Sequence, residues 1–134
     1  MKKILTLICC TIVLAATSCK KEYVTTSPSA TTIFDTTPAF VLDDNVNDPN
    51  SIHGYTTTLA VPEITDYYNN HGAVLVYLDE DGAYEQLPDV YGGLSYRFVY
   101  AKGTLYIDAQ NADGSVPSPA NKPGPLKLKI VLVP

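Results

Sequence analysis

From Tyr55 onward the chain alternates. Tyr55, Thr57, Leu59 and Val61 interleave with Thr56, Thr58 and Ala60, the two-residue period of a strand built from β-branched and aromatic residues. Ala73 to Leu78 is a continuous apolar run of strand length, which predicts a central strand buried on both faces. Leu94, Tyr96, Phe98 and Tyr100 share one face of a third strand, with Ser95, Arg97 and Val99 on the other. Leu105 and Ile107 begin a shorter repeat. Leu126, Leu128, Ile130 and Leu132 alternate with Lys127, Lys129, Val131 and Val133 in a final strand, and Ala39 to Leu42 adds a short candidate.

The punctuation between these segments is of the same kind. Asp81-Gly82 and Lys102-Gly103 are tight-turn signals, because glycine accepts positive φ. Asp113-Gly114 and the stretch from Pro117 to Pro125 predict a longer loop that excludes strand. One short helix is expected between Pro62, placed in its first turn, and Gly72 as its stop, with Ile64, Tyr67 and Tyr68 on one side. Five to seven strands with almost no helix predict a single small β-sandwich over residues 38–134, immunoglobulin-like or jelly-roll-like.

Ahead of this domain the pattern is different. Lys2 and Lys3 precede an apolar run from Ile4 to Ala16, and Ala16-Thr17-Ser18 lead into Cys19. A charged segment, a short apolar segment and small residues before a cleavage point make a secretory signal. Thirteen residues fall short of the roughly 20 that a transmembrane helix needs. With cysteine as the first mature residue, residues 1–18 look like a bacterial lipoprotein signal peptide and Cys19 like the site of lipidation, although Ala16 stands where leucine is usual. A plain secretory signal is the alternative, and it would leave Cys19 as an odd free thiol.

Residues 19–37 follow as a lipidated cysteine and a Ser/Thr/Pro-rich linker without strand or helix period. Within it, Asp35-Thr36-Thr37 resembles the short acceptor sequence for O-glycosylation in Bacteroidota-type bacteria, which marks Thr36. Lys20 after the cysteine, where an inner-membrane retention signal would carry aspartate, favours the outer membrane. Lys20-Lys21-Glu22 leaves periplasmic face and cell surface both open.

Cleavage changes the composition that matters. Of the three cysteines, Cys9 and Cys10 leave with the signal, so no disulfide or thiolate metal site can form in the mature chain. Loss of Lys2 and Lys3 leaves seven basic residues against fourteen acidic ones, a net charge of −7. Such a surface has no footprint for nucleic acid and is repelled by anionic headgroups, so the lipid must hold the protein to the membrane.

Candidate chemistry is sparse. His53 and His71 each precede a glycine, and Ser51 lies two residues before His53, but no nucleophile elbow is present. Asp43, Asn45, Asn47 and Asp48 imitate the opening of a calcium loop. The sixth position, however, is Asp48 in place of glycine, and the twelfth is Gly54 in place of glutamate, so a solvated acidic turn is the favoured expectation. Zinc has too few ligands. Nine tyrosines lie in the domain with no tryptophan. Most are expected in the core, with Tyr84 and Tyr91, which flank Pro88, exposed as candidate ligand contacts.

Leu59 to Thr65, Gly72 to Leu78, Tyr84 to Pro88 and the closing Leu128 to Pro134 together resemble a group of small Bacteroidota lipoproteins. These pair a lipid anchor with a C-terminal β domain. The resemblance covers residues 52–134, implies fold and address, and brings no catalytic residues. The expectation is therefore a lipid-anchored envelope protein without enzymatic activity or cofactor, meeting a protein or glycan partner. The competing expectation is an envelope hydrolase or accessory subunit that uses His53 or His71 with nearby carboxylates.

Overall fold

A computed structural model describes residues 29–134. The signal peptide, Cys19 and the first part of the linker lie outside the described residues.

Nine strands form two antiparallel sheets, the all-β sandwich expected from the alternation. The first sheet has the order β1-β9-β4-β5, with β1 Thr31–Thr36, β9 Lys127–Val133, β4 Ala73–Glu80 and β5 Ala83–Gln86. The second has the order β2-β3-β8-β7-β6, with β2 Val41–Asp43, β3 Gly54–Ala60, β8 Thr104–Asn111, β7 Leu94–Ala101 and β6 Asp89–Tyr91. The inner faces meet in one core. Val74, Val76, Leu78, Leu128, Ile130 and Leu132 come from the first sheet, and Tyr55, Leu59, Tyr96, Leu105 and Ile107 from the second. Phe40 fills the passage from β1 to β2 and stands edge-on to Tyr96, their ring centroids 6.4 Å apart.

Nine strands among the described residues exceed the five to seven expected, and three further features differ from the sequence expectation. The linker does not extend to residue 37, because Thr31–Thr36 pairs with β9 from Thr31↔Leu132 to Thr36↔Lys127. A threonine-rich stretch resembles a spacer by composition, yet its β-branched side chains suit an exposed edge strand. Second, β4 is internal in its sheet but not buried on both faces. Val74, Val76 and Leu78 enter the core, while Leu75 and Tyr77 are only half-covered on the outer face. Third, the helix α1 is a single turn, Asp66–Asn70. Pro62 lies before it in a turn, and Thr65 occupies the N-cap position without a side-chain hydrogen bond. Tyr68 is still buried, and its hydroxyl donates to the Ser29 carbonyl at 2.8 Å, tying the start of the described chain to the helix.

The connections sort into two ends. Thr31, α1, the β7–β8 turn and the last residues of β9 lie at the end where the linker enters. The β2–β3 loop, the β4–β5 and β6–β7 turns and the long β8–β9 connection lie at the far end. Asp81 and Gly82 turn the β4–β5 hairpin with φ of 51° and 92°, the positive pair of a type I′ hairpin turn.

On the outer face of the second sheet, three strands supply one polar row. The Thr56 hydroxyl donates to Asp108 Oδ1 at 2.9 Å, and Arg97 Nε donates to Asp108 Oδ2 at 3.0 Å. The Asp108 side chain is 7% exposed, whereas that of Arg97 is 54% exposed. Loss of Arg97 therefore strands a buried carboxylate, while loss of Asp108 leaves a guanidinium that water can reach. We expect Arg97→Ala to cost about 1–2 kcal/mol. Adding Asp108→Asn should recover most of that loss, which urea denaturation of both singles and the double variant would measure. Equal, additive losses would show that the pair is not coupled.

Candidate functional site

The outer face of the first sheet is assembled by register. Phe34 pairs with Lys129, Lys129 with Tyr77, and Tyr77 with Gln86. One step toward the far end, Thr36 pairs with Lys127, and Asp79 with Tyr84. Directly paired residues point to the same side of a sheet, so these side chains share one surface. The Lys129 ammonium sits 4.4 Å from the Tyr84 ring centroid and 5.6 Å from that of Tyr77, a cation–π contact with both. Phe34 reaches over the sheet to Tyr84, with ring centroids 6.4 Å apart and planes tilted by 47°. Phe34 is 61% exposed and Tyr84 42% exposed. Two exposed aromatic rings thus lie together, with the Lys129 ammonium against the Tyr84 ring.

Two grooves adjoin this cluster. One, of about 200 Å³, is lined by Phe34, Asp35, Thr36, Asp79, Lys127 and Leu128. The other, of about 260 Å³, runs between Glu80, Asp81 and Tyr91 on one side and Pro125 and Leu126 on the other. Asp79 and Lys127 line both. Asp79 is fixed in place, since its Oδ1 accepts the Gly82 amide at 2.8 Å.

Beyond the second groove the surface is acidic. The Glu85 carboxyl is raised above its ordinary pKa, first by hydrogen bonding with Asp89 and then by partial desolvation and the charges of Asp89 and Glu80. The Tyr91 hydroxyl is also raised, first by hydrogen bonding with Glu80 and then by the Glu80 charge. Both shifts come from carboxylates crowded at one edge, where each disfavours further negative charge on its neighbours.

No known family, curated protein or solved structure matches this chain.

The structure places the other candidates apart from this face. His53 has φ of 50°, and its Nδ1 lies 3.0 Å from Asp44 Oδ1, with both side chains exposed. Ser51 Oγ donates to Asp43 Oδ1 at 3.0 Å, so its hydroxyl proton is directed at that carboxylate and not at the imidazole. His71 closes α1 at the opposite end of the sandwich, its ring packed against Tyr67 at 5.7 Å. In the β2–β3 loop the oxygens of the calcium-like sequence bind their own loop. Asp43 Oδ2 accepts from the Ile52 amide, Asn45 Oδ1 from Asn47, and Asp48 Oδ1 from Asn50. Among the described residues, no group of three or more His, Cys, Asp or Glu is placed to hold a metal ion.

Thr36 is exposed on β1 and lines the first groove; its own amide bonds to Asp35 Oδ1 at 2.7 Å. Tyr84 and Tyr91 are both exposed, as the sequence suggested, and Tyr106 joins them at 38% on the opposite face of the sandwich. Sequence reasoning missed Phe34, Asp79, Lys127 and Lys129. Phe34 lay within the supposed linker. The two lysines announced only a wet strand face, and nothing linked them to tyrosines some fifty residues earlier in the chain.

Proposed function

We propose that this chain is a lipid-anchored protein of the bacterial outer membrane, and that its sandwich is a non-enzymatic module that holds a partner on the outer face of the β1-β9-β4-β5 sheet. The observation that carries this reading is the pair of exposed rings, Phe34 and Tyr84, set around Lys129 beside two confluent grooves. Exposed aromatic side chains at fixed positions are a feature of binding surfaces, because a rigid ring presents apolar area with little entropy to lose. The direction of the strands supports the same reading. The linker enters beside Thr31, and the grooves lie at the other end of β1, about 17 Å along the strand by its rise per residue.

Anchoring rests on Cys19 and on the signal sequence before it. No helix among the described residues is long and apolar enough to cross a membrane. Residues 20–30 separate the anchor from β1, eleven residues that span at most about 36 Å. The experiment is fractionation of cells carrying the wild type or Cys19→Ala, with protease added before and after the outer membrane is opened. Wild type should sediment with the outer membrane and Cys19→Ala should become soluble. An unchanged membrane fraction for the variant would overturn the anchor. The protease arm assigns the face: digestion on intact cells places the module outside, and protection until lysis places it in the periplasm.

A further inference from the structure

We propose that the groove beside Phe34 is a binding site for a neutral glycan, a reading that deepens the interaction module above and rests on it. The groove has the two kinds of surface that a sugar presents. A pyranose has an apolar face of C–H bonds, for which the Phe34 ring, 61% exposed, is a flat apolar wall. It also has a rim of hydroxyls, each both donor and acceptor. Asp79 offers a carboxylate acceptor, Lys127 a donor, and Thr36 a hydroxyl that can do either. The groove, about 200 Å³ and open at its side, is too small and too polar for a hydrophobic helix; it sets one aromatic wall among several polar groups.

Charge selects among glycans. Asp35 and Asp79 line the groove itself, and Glu80, Asp81 and Glu85 crowd the surface beside it. Lys129 is turned to the tyrosine rings, which leaves Lys127 as the cation that lines the groove. A uronate or sulfated chain would meet this excess of carboxylate, in a protein already acidic overall, and be repelled. A neutral oligosaccharide meets no such field. Its binding should therefore be insensitive to salt.

The test uses the full-length lipidated protein in a detergent without a sugar headgroup, because a glycosidic detergent would compete. Arrays of neutral glucan, mannan and galactan oligosaccharides, beside uronate-containing and sulfated ones, identify the ligand, and titration calorimetry gives its affinity. Neutral glycans should bind with an affinity unchanged between low and physiological salt. Phe34→Ala and Asp79→Asn should each weaken binding roughly tenfold or more. Tyr106→Phe, on the opposite sheet, should leave it unchanged. Thermal melts of the same variants, unaltered for Phe34→Ala, separate loss of contact from loss of fold.

Preference for anionic glycans, or full binding by Phe34→Ala, would overturn the glycan site. So would an absence of glycan binding while a photo-crosslinker placed at position 34 captures a protein or a second copy of this chain. In that last case the interaction module would stand with a different partner. A cluster whose variants alter no binding of any kind would overturn both readings.

Discussion

Ile130→Ala is expected to lower the melting temperature by more than about 10 °C. Ile130 is fully buried at the middle of β9, between Ile33 of β1 and Val76 of β4. Its truncation removes apolar burial and leaves a cavity in a core that close-packed strands cannot collapse to fill, at a cost of about 2–5 kcal/mol. No cysteine lies among the described residues, so no disulfide within them offsets the loss, and a domain of this size has only about 5–15 kcal/mol in total. A denaturation series would show a lower midpoint with an unchanged slope, the signature of lost stability without a change in the surface exposed on unfolding. A shift of only a few degrees would mean that β9 is not the centre of the folded unit.

The second large effect comes from adding a single methyl group. Gly54 opens β3 against β8, and a Cβ there would sit 2.5 Å from the Ala109 carbonyl oxygen. Ala109 is buried backbone in a paired strand and cannot move without opening the ladder. Gly54→Ala should therefore cost about 1–3 kcal/mol, the range of overpacked interiors. Gly72→Ala meets the same obstacle, with Val133 O at 2.6 Å and Tyr68 Cδ1 at 2.8 Å. Gly124 is the control. A Cβ there meets nothing within 4 Å, so Gly124→Ala should change stability by no more than about 0.5 kcal/mol. Melting curves for the three variants in parallel decide the matter, and a neutral Gly54→Ala would contradict the close β3–β8 approach.

These two glycines explain a sequence feature that invited a chemical reading. His53 and His71 are each followed by glycine where a Cβ would meet a neighbouring carbonyl, Gly54 as the first residue of β3 and Gly72 as the last residue before β4. The repeated dipeptide marks crowded strand starts at opposite ends of the sandwich.

Other parts of the fold were legible for similar local reasons. The inward rows Leu94-Tyr96-Phe98-Tyr100 and Leu128-Ile130-Leu132 follow directly from the period of two, and the Asp81-Gly82 turn follows from its φ demand. What was not legible depended on pairing across the chain. The continuous apolar run of β4 gave no sign that its outer face is only half-covered, because that depends on what lies over the sheet and not on the strand itself. Nothing in the sequence marks Asp108 as buried, because its partners Thr56 and Arg97 come from two other strands. The aromatic cluster is the extreme case. Phe34, Tyr84 and Lys129 come from three separate strands, and each on its own is unremarkable.

The place where the linker joins the fold has a mechanical consequence. β1 is continuous with the linker, lies at the edge of its sheet, and is held by a six-residue ladder to β9. A ligand seated in the groove at the far end and an anchor beyond Thr31 would pull on the domain in opposite directions along the axis of that strand. The hydrogen bonds of an antiparallel ladder run perpendicular to the strands. Tension on the linker would therefore load all the rungs together in shear, where a peeling geometry would break them one after another. An edge strand that looked like slack spacer would be the element that bears the force between the membrane and whatever the sandwich holds.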